Sequence, residues 1–363
     1  MLRPLVESRG LWLLVAGLAL ACASSGSPSS QLAVGTGGAG TGGGTHAAGG
    51  SSGVSAGGAP SSGGASSSGG GSSGGQAMTG GAESTETGGA PQGPTEFSVF
   101  EEVVFYDGYA SVMDDTLPPG ATRIDNSLVT TKLTDERLAL IQSHLELEVT
   151  IFARCDNYDR IGSVSLALAE KGAKQYDPSS TPHLEVGRFI TPFMDKNREP
   201  TSVDYKWSID QIAAILRSPA LRAKYDFWLE FSVFGVPYAA NEEVAGCAGR
   251  SDVFAGSVAL RSDSSAPESD ADVVLPLAFN APFNDYQAGA SDALGTTKKT
   301  LSFSLDEEVE DTQIVLIVSH HGANSGGEEY IRREHSVSLD DEAVLEFRPG
   351  RSSCEPFRAV NTQ

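Results

Sequence analysis

The chain has 363 residues, and its 25 Lys and Arg against 47 Asp and Glu leave a formal charge of −22. Polyphosphate backbones and anionic lipid headgroups would be repelled by such a surface, so nucleic acid is excluded as a partner, whereas a neutral ligand such as a glycan is compatible. The 42 glycines crowd into one early stretch, so the part able to build a core is smaller than the length implies.

The N-terminus reads as a targeting segment. Arg3 and Arg9 flank the start of an apolar run, Leu11 to Leu20, that is short for a membrane span. The run closes in Leu18-Ala19-Leu20-Ala21-Cys22, small residues before a cysteine, the pattern of a bacterial lipoprotein cleavage site. Residues 1–22 are therefore expected to be a signal peptide, with Cys22 the lipidated residue and the protein exported to the outer membrane or cell surface. Cleavage by an ordinary secretory signal, giving a secreted protein, is the alternative.

Residues 23–95 are Gly, Ser, Ala and Thr with almost no large apolar side chains, too few to offset the entropy of ordering the chain. This stretch is expected to be a tether, with a reach on the order of 5–6 Å times the square root of its length. From Phe97 short apolar segments alternate with turn residues. Val103 to Tyr106, Leu145 to Phe152, Val164 to Leu168 and Phe227 to Phe234 are expected strands. Between them Ser208 to Tyr225 places Ile209, Ile212, Ile215 and Leu216 on one helical face, which predicts a short helix or turn.

An acidic linker, Ser262 to Asp270, separates a first domain, residues 96–262, from a second, residues 270–363. The second has expected strands at Lys299–Leu305, Gln313–Ser319, His335–Leu339 and Ala343–Phe347. Two blocks without strand-helix-strand spacing predict an all-β protein of antiparallel sandwiches or jelly rolls. Cysteine usage fits an oxidising compartment. Beyond Cys22 there remain Cys155, Cys247 and Cys354; Cys155 with Cys247 is the expected disulfide, since both lie in the first domain, which leaves Cys354 over or paired between molecules.

The densest polar cluster is Arg154-Cys155-Asp156-Asn157-Tyr158-Asp159-Arg160, where a disulfide and flanking cations could hold two carboxylates in place. Seen alone, such a loop is as readily a turn with a local ion pair. Cys155 to Arg160, followed by a strand and then Val186-Gly187-Arg188-Phe189-Ile190-Thr191-Pro192-Phe193, resembles the peptide-N-glycosidase F family. The similarity continues at Phe227-Trp228-Leu229-Glu230 and resumes at Glu329-Tyr330-Ile331-Arg332.

That resemblance implies two eight-stranded jelly rolls, the second incomplete here, and hydrolysis of the amide between asparagine and the first N-acetylglucosamine of an N-glycan. It implies Asp159, Glu230 and Glu329 as catalytic carboxylates, and Arg160, Tyr158, Arg188, Trp228 and Tyr330 as substrate-binding residues. N-glycosylated proteins or glycopeptides would be the partners, with a membrane reached through the lipid anchor. No cofactor and no metal are expected; His320, His321 and His335 invite a copper reading, because copper-dependent monooxygenases share the double jelly roll, but no histidines fall in a ligand-like pair. A surface lipoprotein that binds glycan or protein without turnover is the competing reading.

Overall fold

The computed structural model describes residues 10–14, 93–237, 240–281, 297–306, 308–319, 334–350 and 353–363. The chain separates into two units, residues 1–24 with 89–363, and residues 25–88. The second unit, which holds most of the expected tether, lies outside the described residues, as do Cys22, Glu329 and Tyr330.

The described strands in chain order are β1 Gly10–Leu14, β2 Thr95–Tyr106, β3 Ala121–Asp125, β4 Leu128–Lys132, β5 His144–Ala153, β6 Ile161–Glu170, β7 His183–Ile190, β8 Ser202–Ser208, β9 Tyr225–Val233, β10 Asp252–Asp263, β11 Val273–Pro276, β12 Glu310–Val315, β13 His335–Leu339 and β14 Glu342–Phe347. Two antiparallel sheets, ordered β2-β10-β5-β8 and β3-β4-β9-β6-β7, face each other as a sandwich. Strict alternation makes this possible: in β5 every second residue is buried, so Leu145, Leu147, Val149 and Ile151 reach the core while the intervening side chains are part-exposed. Phe105 of one sheet meets Phe231 of the other edge to face, with ring centroids 5.0 Å apart. The β2–β10 pairing sets Thr95–Tyr106 alongside Asp252–Asp263, so strands far apart in sequence are neighbours in this sheet.

One local expectation is sharpened and another is corrected. A short first helix, α1, spans Asp135–Leu138; the stretch Ser208–Tyr225 is two more, α2 Asp210–Arg217 and α3 Pro219–Lys224, because Pro219 has no amide hydrogen and drives Ser218 to an extended ψ of 118°. Ser218 then caps α3 by accepting from the Leu221 amide, 3.3 Å away. Lys299–Leu305 alternates like a strand but has no ladder among the described residues; Leu301, Phe303 and Leu305 are 46%, 38% and 39% exposed. Alternation alone cannot make a strand where no neighbour offers its hydrogen bonds.

Beyond the sandwich, β13 and β14 form an antiparallel hairpin, and β1 lies between β11 and β12, parallel to both. A 3₁₀ turn, Glu355–Val360, leads to the C-terminus, where the Thr362 amide donates to the Phe193 carbonyl and the Asn361 side chain accepts from the Phe193 amide. Cys354 is disulfide-bonded, so no thiol is left over among the described residues. The expectation of a spare cysteine is thereby overturned. No helix of the described residues is long and apolar enough to cross a membrane.

Candidate functional site

Two constellations occupy the sandwich: a cross-linked loop at one end of the five-stranded sheet, and a polar cluster on that sheet's outer face. The loop is residues 155–160, between β5 and β6. Cys155 is bonded to Cys247, 92 residues away. Asp156 is only 1% exposed, and its carboxylate is saturated with donors: Arg160 Nε at 2.6 Å and Nη2 at 3.2 Å, the Tyr158 amide at 3.0 Å and the Val236 amide at 2.7 Å. Gly235 leaves room for this carboxylate; a Cβ there would lie 3.1 Å from Asp156 Oδ2. Asp156 is thus the strut around which the loop folds, since a buried carboxylate is tolerated only when its charge and lone pairs are matched.

Thr191 ties the second motif to the first. Its hydroxyl accepts from the Arg160 amide at 2.8 Å and donates to the Tyr158 carbonyl at 3.3 Å, and its own amide donates to the Arg160 carbonyl at 2.8 Å. The Arg160 guanidinium lies 5.5 Å over the Tyr158 ring, and the Phe193 ring lies 5.9 Å from it. Asp159 is half-exposed between these anchored residues.

The outer face is built by register. Thr130, Glu230, Ser165 and Glu185 stand opposite one another across β4, β9, β6 and β7. A bulge at Val186 then lets Gly187 and Phe189 turn inward while Arg188 stays on the outer face. Glu230, 4% exposed, accepts from the Tyr176 phenol at 2.6 Å and from His183 Nε2 at 2.9 Å, both on Oε1. Burial, then the hydrogen bond to Glu230, pushes the Tyr176 phenol far above its ordinary value, so it remains a protonated donor. Thr130 Oγ1 is 2.9 Å from the same phenol oxygen. Beside this group Arg188 forks onto Glu185 and reaches Ser319 and Asn280, at 2.8 and 3.1 Å. Burial raises Glu185 above the usual carboxylate value, and the Arg188 guanidinium acts against that rise.

Trp228, expected to meet substrate, is 8% exposed and packs on Tyr176, with centroids 5.3 Å apart; its indole N–H is buried without a partner among the described residues. Further along the same face a cavity of about 300 Å³ is lined by Lys132, Lys171, Arg222, Tyr225 and Asp226. Among the described residues no three His, Cys, Asp or Glu side chains gather as they would around a metal ion.

The structure therefore brings Tyr158, Arg160 and Asp159 together in one loop and Glu230, Trp228 and Arg188 together on one face. Glu230 stands opposite Ser165, six positions along β6 from Asp159, so the two are separated by up to about 20 Å along the strand. Sequence reasoning missed Tyr176, His183 and Glu185. His183 and Glu185 alternate with apolar neighbours and read as a solvated strand face; only their position directly before the Gly187-Arg188-Phe189 motif could have marked them.

An antiparallel β-sandwich with a disulfide-braced acidic loop and a carboxylate-rich outer face is the class that these observations define. The sequence matches the family described as "Peptide-N-glycosidase F, N terminal" over residues 96–248 and "Peptide-N-glycosidase F, C terminal" over residues 290–363. Together these span well over half of the chain, and the chain belongs to the peptide-N-glycosidase F family. Among solved structures, PNGase F, a glycosylasparaginase from Flavobacterium meningosepticum, shares 12% identity over 58% of this chain and 53% of its own, with a TM-score of 0.31. A peptide-N(4)-(N-acetyl-beta-D-glucosaminyl) asparagine amidase shares 13% identity over 48% of this chain and 44% of its own, with a TM-score of 0.26. The chain thus spans about half the length of these solved relatives. No curated protein matches the sequence.

Proposed function

We propose that this protein is an amidohydrolase that releases N-glycans, cleaving the amide between asparagine and the first N-acetylglucosamine. The observation that carries this reading is the union of the two family motifs: Thr191 of the second is hydrogen-bonded to Arg160 and Tyr158 of the first, which frames Asp159. In the proposed reaction Asp159 takes a proton from the water that attacks the amide carbonyl. The C–N bond breaks, the glycosylamine leaves with a proton, and the peptide keeps an aspartate. Arg160 and Tyr158 border that position, and Glu230 and Glu329, the further catalytic candidates, are assigned to holding and orienting the sugar. Arg188, Trp228 and Tyr330 are the further substrate-binding candidates. The substrates would be N-glycosylated proteins or glycopeptides. Lipidation at Cys22 and placement at the cell surface complete the proposal.

The test is incubation of the purified full chain with a denatured N-glycosylated protein, beside Asp159→Asn. Glycan release with conversion of asparagine to aspartate, abolished in the variant, is the expected result. No release by a chain shown to be folded would overturn the reading in favour of a non-catalytic glycan-binding protein.

A further inference from the structure

Glu230 is held asymmetrically. Oε1 receives both the Tyr176 phenol and His183 Nε2, whereas Oε2 takes no hydrogen bond from the described residues. A carboxylate that serves only as a buried strut is expected to spread its donors over both oxygens, as Asp156 does. At Glu230 one oxygen is doubly pinned and the other is left to accept from something else.

The pinning groups are themselves locked. The Tyr176 proton is committed to Glu230, and the phenol oxygen is held from its other side by the Thr130 hydroxyl, 2.9 Å from it and 3.2 Å from the Leu229 carbonyl. The Tyr176 ring is wedged against Trp228. His183 is sandwiched between its own sheet and Phe279, whose ring stacks on the imidazole at 4.8 Å and 17°. Ala167, paired with both His183 and Trp228, is the small residue that lets these larger rings close over Glu230.

We infer that Tyr176 and His183 are positioning residues that fix the rotamer of Glu230 so that its Oε2 faces the glycan. This rests on the amidase reading and deepens it by naming the residues that set Glu230. A carboxylate freed from both donors would sample other rotamers, and a misplacement of about 1 Å at a reacting group can cost on the order of a hundredfold in rate.

The experiment compares the full chain with Tyr176→Phe, His183→Leu and His183→Gln on an N-glycopeptide. Tyr176→Phe keeps the ring and removes only the donor; His183→Gln keeps a donor near the Nε2 position. The expected result is a fall in kcat of about tenfold to a hundredfold for Tyr176→Phe and His183→Leu, with KM within about twofold, and recovery of most of the loss by His183→Gln. Wild-type kcat in a folded Tyr176→Phe, or a His183→Gln no better than His183→Leu, would overturn the inference. A second readout does not need activity: side-chain ¹⁵N NMR should show His183 as the Nε2–H tautomer, altered by Glu230→Ala. A His183 signal indifferent to that substitution would overturn the positioning role, whereas a coupled signal in a chain that releases no glycan would support it and count only against the amidase reading.

Discussion

Asp156 and Arg160 are joined twice within one turn of chain, with Arg160 Nε 2.6 Å from Oδ2 and Nη2 3.2 Å from Oδ1, and this pair gives the loop carrying Asp159 its shape. Because Asp156 is almost fully buried, Asp156→Ala would remove the acceptor that the Arg160 guanidinium and the Tyr158 and Val236 amides share. The expected loss is about 3–5 kcal/mol, the usual cost of stranding one partner of a buried ion pair. Chemical denaturation checks it, and a loss under about 1 kcal/mol would mean that the loop does not depend on this strut.

The Cys155–Cys247 bond ties the same loop to the segment after α4, Ala240–Glu243, across 92 residues of sequence. Closing so long a loop in the unfolded chain is worth on the order of 4–5 kcal/mol in the chain-entropy account. Replacing both cysteines by serine is expected to lower stability by an amount of that order, measured under oxidising conditions and compared with the reduced wild type.

Gly162 lies beneath the Phe189 ring, and a Cβ at that position would come within 2.2 Å of it. Gly162→Ala must displace a fully buried aromatic that stacks on Tyr205. A loss of roughly 1–3 kcal/mol is expected from this overpacking. A thermal midpoint equal to wild type would show that the ring moves freely.

Asp226 illustrates the pH response. Burial raises its carboxyl, but hydrogen bonds from Lys132 and Lys171 and from the Gly172 amide outweigh that, so the folded-state value lies below the ordinary 3.8. A depressed folded value contributes stability that is present above the unfolded value and is lost as pH falls through the folded one. Asp226→Asn is therefore expected to destabilise the protein at neutral pH, by roughly 1–2 kcal/mol since both lysines are substantially exposed. The same variant should lose less stability on acidification below the ordinary carboxylate range. Thermal midpoints collected across that range test the sign: a variant whose acid-side slope matches wild type contradicts it.

Residues 361–363 hold the second motif from outside. Asn361 Oδ1 accepts from the Phe193 amide, and Thr362 Oγ1 accepts from the Asp195 amide. Removing Asn361–Gln363 is expected to speed amide hydrogen exchange at Phe193 and Asp195 while leaving the β5 and β10 amides protected. Uniform acceleration across the sandwich would instead point to global loss of stability.

Much of the first domain is legible in the sequence. The period-two burial of β5 and the strand character of β6 and β9 follow from short apolar runs, and the Cys155–Cys247 pairing follows from their common domain. The helical stretch is only half legible, because the amphipathic face is plain but the break at Pro219 depends on treating one proline as a terminator. Lys299–Leu305 marks the opposite limit: the alternation is present in the residues, but no strand among the described residues pairs with it.

The candidate site divides in the same way. The sequence by itself determined the loop from Cys155 to Arg160, since its charges, cysteine and turn are contiguous and Arg160 reaches back only four positions to Asp156. What only the tertiary structure decided is which carboxylate is the strut, and who holds Glu230. Tyr176 and His183 are 54 and 47 residues away from it, brought there by the β6, β7 and β9 register and a bulge at Val186. A sequence records the preference of each residue for a strand and for a face. It does not record which strands become neighbours, because that is settled by burying apolar surface across the whole sandwich at once.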